Sequence, residues 1–181
     1  MRKCLALTLM LSVLTILPLI SACAGWDPNR ERKEETAAQV TMARFKKADS
    51  TMKVYFDNAY GYAVFPSVGK GGYFVGGGYG KGMVYEQGDF IGYSRIINLT
   101  VGAQIGGQSY SEIIFFKDKA SLNDFKGGNF EFAAQASAVF VTEGASKDYQ
   151  YNSGVAVFTM PKAGAMAEAS IGGQKFSFEP K

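Results

Sequence analysis

From Gly61 onward, short apolar runs alternate with glycine-bearing turns, and this period constrains the fold more than any other feature of the chain. YAVFPSV, GGYFVGG, KGMVYEQ, DFIGYS, IINLTVGAQIGG and SEIIFF follow one another at short spacing. Successive side chains of a strand point to opposite faces, so strict alternation marks a sheet with two different sides. Residues 98–105 show it cleanly: Leu99, Val101, Ala103 and Ile105 fall on one face, Asn98, Thr100, Gly102 and Gln104 on the other. Glu86-Gln87-Gly88-Asp89 reads as a hairpin turn. DKASLNDF interrupts the strands as a short helix, with Asp118 as cap, Leu122 and Phe125 inward and Gly127 as stop. Strands then resume in FEFAAQASAVFVTE, GVAVFTM, AGAMAEASIGG and KFSFE.

The segment before Gly61 has a different period. Asp27-Pro28 is a helix start, and RERKEETAAQVTMARFKKA continues without glycine or proline. Its Ala38, Met42 and Phe45, with nearby Val40, make a moderate apolar stripe. Ser50 is expected to cap a second short helix, with Met52, Tyr55, Phe56 and Ala59 on one face and Gly61 as its end. The expected fold class is α+β: N-terminal helices packed on a curved, mainly antiparallel β-sheet, sandwich- or barrel-like.

KGGYFVGGGYGKG, beginning at Lys70, invites comparison with a phosphate-binding loop. The comparison fails. Gly80-Lys81 is followed by Gly82 rather than Ser or Thr, Val75 stands where the first loop glycine belongs, and no helix pattern follows. By parity, Gly72, Gly76, Gly78, Gly80 and Gly82 share one face with Phe74, while Tyr73, Val75 and Tyr79 share the other. A strand with a nearly bare face lets another element approach closely. The expectation is a packing groove for one of the helices, with a backbone nest for a ligand as the alternative. IGGQSYS at 105–111 resembles IGGQKFS at 171–177, either as a duplication or as one Gly-Gly bend used twice.

MRKCLALTLMLSVLTILPLISAC joins Arg2 and Lys3 to an apolar stretch and ends in small residues before a cysteine, the pattern of a signal peptide. Ile20-Ser21-Ala22-Cys23 resembles the lipobox of bacterial lipoproteins. That resemblance implies cleavage before Cys23, diacylation of its thiol and acylation of the new amino terminus. An ordinary secretory signal or an uncleaved anchor is the alternative. Residues 1–22 are then a leader, 23–29 the lipidated cysteine and a short tether, and 30–181 one domain. Ala24, in place of Asp, implies by the same resemblance the outer membrane, facing the periplasm. Three acyl chains exceed the two signals that stable anchoring needs.

Without Arg2 and Lys3 the chain carries 17 basic residues against 16 acidic ones, so local patches matter more than net charge. No excess basicity points to nucleic acid. Residues 30–53 hold seven basic and four acidic side chains. Near an anionic membrane each Lys or Arg contributes about 1 kcal/mol, which makes Arg44, Lys46, Lys47 and Lys53 candidates to face headgroups, against the alternative of a solvated helix face. Lys70 and Lys81, with Tyr79 between them, are the candidates for binding an anionic group.

Histidine is absent, which excludes Ser-His-Asp triads, Cys-His pairs and His-containing zinc sites together. The two cysteines, Cys4 and Cys23, lie in or beside the leader, so the domain has no disulfide framework and no thiolate metal site. Ser67-Val68-Gly69-Lys70 fits S-x-x-K, but its companion motifs are missing, and the residues read as a strand-end turn after Pro66. Neither catalytic residues nor a metal or cofactor is expected.

Several of these stretches occur together in a known order. GYAVFPSVGKGGYFVGGGYGKG, GAQIGGQSYSEIIFF, KASLNDFKGG, AAQASAVFV and AGAMAEASIGGQKF resemble the SYLF domain over about residues 36–178. The matching positions include Phe65, Pro66, Ser67, Lys70, Gly71, Gly77, Gly78, Tyr79 and Gly80. Gly78 stands where lipoprotein and plant members usually carry Glu, and Ala165 where the family has a closing Leu. The resemblance implies a non-catalytic role: eukaryotic members bind phosphoinositides or other anionic lipids, some fungal members bind actin filaments, and bacterial members are secreted lipoproteins. The expected function is a membrane-anchored lipoprotein whose domain binds lipid or anionic headgroups. An envelope scaffold that binds a protein partner, or a serine hydrolase using Ser67 and Lys70, are the alternatives.

Overall fold

A computed structural model describes residues 28–71, 75–101, 108–128, 138–163 and 174–181. Pro28 opens helix α1 (Pro28–Ala48), where its missing N–H costs no hydrogen bond. Asp49, not Ser50, caps the next turn: its side chain accepts from the Thr51 N–H at 2.9 Å and closes a 3-10 turn (Ser50–Met52) that runs into α2 (Lys53–Asn58). Asp outcompetes Ser here because its carboxylate has a second oxygen, which accepts from the Ser146 N–H at 2.7 Å. Ser50 instead donates outward to Glu143. Gly61 does not end α2; Ala59 already turns extended, and Gly61 begins the first strand.

The strands are β1 (Gly61–Gly71), β2 (Val75–Glu86), β3 (Asp89–Val101) and β4 (Gln108–Phe116). Helix α3 (Lys119–Lys126) precedes β5 (Val139–Phe140), β6 (Val155–Ala163) and β7 (Gln174–Pro180). They form one sheet in the order β5-β6-β4-β1-β2-β3-β7, antiparallel except where β5 joins β6. Gln87 and Gly88 have φ of 52° and 93°, the two left-handed residues that a tight hairpin of type I′ requires. Asp118 caps α3, and Leu122 and Phe125 are buried, as their spacing predicts. Of FEFAAQASAVFVTE, strand forms at Val139–Phe140; residues 129–137 lie outside the described residues. So do most of AGAMAEASIGG, the glycines of both IGGQ segments, Gly72, Tyr73 and Phe74.

Ser67 to Lys70 is not a strand-end turn. β1 continues through it to Gly71 because Pro66 sits at a bulge, where the register with β2 shifts between Val64 and Ser67. A bulge releases one residue from the ladder, so a proline without an N–H is tolerated in a central strand. Its carbonyl accepts from Ser111 Oγ at 2.9 Å and Lys162 Nζ at 3.2 Å.

Each face of the sheet has its own core. On one, Ala38 and Phe45 of α1 with Met52 and Tyr55 pack against Val64, Met83, Ile113, Phe115 and Phe158. On the other, Leu122 and Phe125 of α3 pack against Phe65, Val84, Ile96, Ile114 and Phe116. Aromatic rings meet at 4.8–4.9 Å in Phe116–Phe125, Phe56–Phe115 and Tyr55–Phe158, within the range where tilted and edge-on pairs attract. The bare side of β2 does not receive a helix. Gly80 and Gly82 face the second core, where the side chains of Phe65, Val68 and Ile96 from the flanking strands fill the space.

The described strands form an open sheet, with β5 and β7 as its edges, rather than a sandwich or closed barrel. It is strongly curled all the same. Flat strands lie about 4.8 Å apart, which would put β4 and β7 about 19 Å from each other. Yet Gln174 Nε2 on β7 donates to Tyr110 Oη at 3.2 Å and to Glu112 Oε2 at 3.1 Å, both on β4. Phe65 and Phe176 also bring their ring centres to 5.8 Å across two intervening strands.

Asp49 fastens the α1–α2 corner to the turn before β6. It is fully buried and accepts from Thr51 N and Oγ1 and from Ser146 N. Burial pushes its carboxyl up, but the hydrogen bonds from Thr51 and Ser146 outweigh that and hold it at about 2. A folded-state value below the unfolded one gives stability that is complete above about pH 4 and is lost as pH falls towards about 2. Asp49→Ala is expected to cost about 3 kcal/mol near neutral pH, through a lost cap and an unpaired buried N–H. Urea unfolding should also show a flatter acid limb in the variant; an unchanged midpoint would refute this role.

Candidate functional site

The α1 side of the sheet is only partly covered. Cross-strand register carries one uncovered row from Gly69 on β1 to Tyr79 on β2, Ile97 on β3 and Lys175 on β7. The next row in the same face runs Ser67, Lys81, Arg95, Ser177. Tyr79 and Ile97 are therefore adjacent, and they are 50% and 56% exposed, although β-strand side chains of that size normally find cover. Lys81, Arg95 and Lys175 surround the pair and are exposed to solvent. Arg95 also meets Glu179 at 2.8 Å, so the patch is cationic but not uniformly so.

A groove of about 310 Å³ opens beside this patch, under the first half of α1. Glu34 and Ala37 form its helix wall, and Pro66, Ser67, Tyr79, Lys81 and Met83 form its sheet wall. The bulge at Pro66 turns Ser67 outward here, opposite Lys81. Tyr79, Lys81 and Ser67 are thus brought together. Lys70 lies further along β1, paired with Gly78 and Gln108. S-x-x-K chemistry places its serine and lysine one turn apart on a helix, whereas Ser67 and Lys70 both belong to an extended strand.

Arg44, Lys46 and Lys47 form a separate group. They occupy the last turns of α1, about 10–15 Å along the helix from Ala37. All three are exposed, but two have local contacts: Lys46 Nζ lies 4.2 Å from the centre of the Phe56 ring, and Arg44 Nη2 lies 3.6 Å from Met160 Sδ. Cys23 lies outside the described residues. Among the described residues no group of three or more Asp, Glu, Cys or His has metal-site geometry, and no helix is long and apolar enough to cross a membrane.

Ile97, Arg95 and Lys175 escaped the sequence reading. Ile97 carried a readable signal: Ile96 is buried, so its neighbour must take the opposite face, the one that also holds Arg95. No local pattern sets the register that places Ile97 beside Tyr79.

Residues 97–181 match the family model Ysc84, described as Las17-binding protein actin regulator. This part of the chain carries the SYLF-family pattern. Beta cell expansion factor A from Aeromonas veronii is 30% identical to it over 142 residues, 78% of this chain and 54% of that protein. The chain thus spans about half the length of that relative. Within the SYLF match lie Ile97 and all of β7, so the outer half of the exposed patch is built by the segment that carries the family pattern.

Proposed function

We propose that this protein is a lipid-anchored, non-catalytic SYLF module whose open sheet face docks on an anionic membrane surface. One observation carries the reading: two large apolar side chains, Tyr79 and Ile97, stand exposed side by side with Lys81, Arg95 and Lys175 around them. Rings and aliphatic chains at a membrane interface bury into the headgroup region, while lysines reach the phosphates. Helix α1 packs on the same side of the sheet, so Lys47 and Arg44 add a second, weaker contact. Acylation of Cys23 would hold the domain close enough for both. A protein partner is the second reading, favoured by the actin-regulator description of the matched family model.

Flotation of unlipidated residues 24–181 with phosphatidylglycerol vesicles tests the reading. Retention at low salt that weakens as salt rises is expected, because exposed charges are screened within about 10 Å at 0.1 M salt. Failure to float at low salt would overturn it, and lipid-independent capture of an envelope protein would favour the partner. Mass spectrometry of the native protein should find Cys23 acylated.

A further inference from the structure

A second groove, of about 540 Å³, lies at the other end of the sheet, where α2, the end of β4 and the turn before β6 meet. Phe116, the last residue of β4, pairs with Gly61, whereas Tyr79 pairs with Gly69. Eight residues of β1 separate the two levels, about 26 Å. The groove is thus distinct from the membrane-facing patch, and it is large enough for a small organic ligand.

The charged side chains that line it are both cationic, with two carboxylates close behind: Asp118, which attracts Lys117, and the buried Asp49 beneath Thr51 and Ser146. Lys117 and Lys147 line it, and no described acidic side chain does. Neither lysine makes a salt bridge to a described carboxylate, unlike Lys53, which pairs with Asp57 nearby. Between the lysines lie neutral groups that both donate and accept. Gln150 is exposed, and Asn58 spends one N–H on the Val54 carbonyl, leaving its own oxygen and a second N–H. Val54, 61% exposed, and the half-buried Tyr151 ring supply apolar surface.

The walls are held rigidly. Tyr55 donates to the Tyr149 and Ser146 carbonyls, and its ring braces Tyr151 at 5.6 Å. Asp49 lies behind and fixes both Thr51 and Ser146. Burial pushes the Tyr151 phenol up to about 12, so it stays a protonated donor under ordinary conditions. Such a site is preorganised, which reduces the cost of ordering it on binding.

The geometry points to an acidic saccharide as the ligand of this groove: a hydroxylated ring bearing one carboxylate or phosphate. Paired donor–acceptor amides match sugar hydroxyls, which also do both, and the tyrosine ring and Val54 match the C–H faces of the sugar. The lysines take the anionic group through charge-assisted hydrogen bonds. Tyr55 and Tyr151 lie tilted at 49°, which does not suit the parallel clamp that a flat nucleobase would use.

The test is titration of the full chain, purified in a non-glycosidic detergent, with trigalacturonate, glucose 6-phosphate and neutral maltotriose. Tight binding of an acidic sugar over maltotriose is expected, and the carboxylate and phosphate arms tell which anion is taken. Lys117→Gln/Lys147→Gln should weaken that binding by about a hundredfold without moving the melting temperature, since each of the two lost charge-assisted hydrogen bonds is worth about 1.4 kcal/mol, a factor of ten. Lys33→Gln, on α1, should leave it unchanged. Equal binding of maltotriose, no binding of either acidic sugar, or full affinity in the double variant would each overturn the assignment. Vesicle flotation is a separate readout, so failure of either site can be told from failure of the other.

Discussion

Gly82→Val is expected to leave the chain unable to fold. A Cβ at position 82 would lie 2.6 Å from the Val64 carbonyl oxygen and 2.6 Å from the Phe65 ring. Cβ atoms do not come that close, and neither neighbour can withdraw. The carbonyl belongs to the backbone of a central strand, and both residues are fully buried. The close approach falls beside the bulge at Pro66, where the Phe65 ring occupies the place in which a side chain of residue 82 would sit. Overpacking a core costs about 1–3 kcal/mol when side chains can shift. Here backbone must move, so even Gly82→Ala should lose about 3 kcal/mol, a large share of the roughly 5–15 kcal/mol that holds a domain together. Gly69→Ala is the internal control, because an added Cβ there meets nothing within 4 Å. Urea unfolding of the two alanine variants checks the argument; equal midpoints would show that the ring and carbonyl adjust.

Tyr79→Ser/Ile97→Ser should abolish most vesicle association while leaving the fold intact. Both side chains are about half exposed, so their loss leaves no cavity. Fully burying an aliphatic or aromatic side chain is worth about 1.5–3 kcal/mol, and the pair starts half buried. Together they should contribute about 2 kcal/mol, roughly thirtyfold in partition. Lys81→Gln and Lys175→Gln should each lower partition about fivefold, at about 1 kcal/mol per charge, and should flatten its salt dependence. The double serine variant should keep its steep salt dependence but bind weakly. Unchanged vesicle affinity in that variant would show that the open face is not the docking surface.

The legible parts of this structure are those written in local pattern. The period of α1, the cap at Asp118 and the turn at Gln87-Gly88 each rest on residues close in sequence, and each appears where the spacing puts it. The misread parts rest on distant neighbours. Asp49 outranks Ser50 as a cap because Ser146, nearly a hundred residues away, needs its second oxygen. Ser67 and Lys70 look like a turn after proline because the bulge that keeps β1 running depends on β2 and β4. The glycine face of β2 was readable as a place of close approach, but not the identity of what approaches. At the docking patch, Tyr79 and Lys81 were readable as candidates, whereas Ile97, Arg95 and Lys175 join them only through strand register.

The reach of Gln174 from β7 to Tyr110 and Glu112 has a consequence for the newborn chain. Strands β1 to β4 and helix α3 can assemble without β7, but the trough lined by Phe65, Ile96 and Ile114 is covered only in part, by Leu122 and Phe125, until Phe176 arrives. Contacts spanning 62 and 64 residues close it, so the last described strand to be synthesised is also the one that shuts the molecule. Until then part of an apolar surface faces water, the condition in which a folding chain is most prone to aggregate.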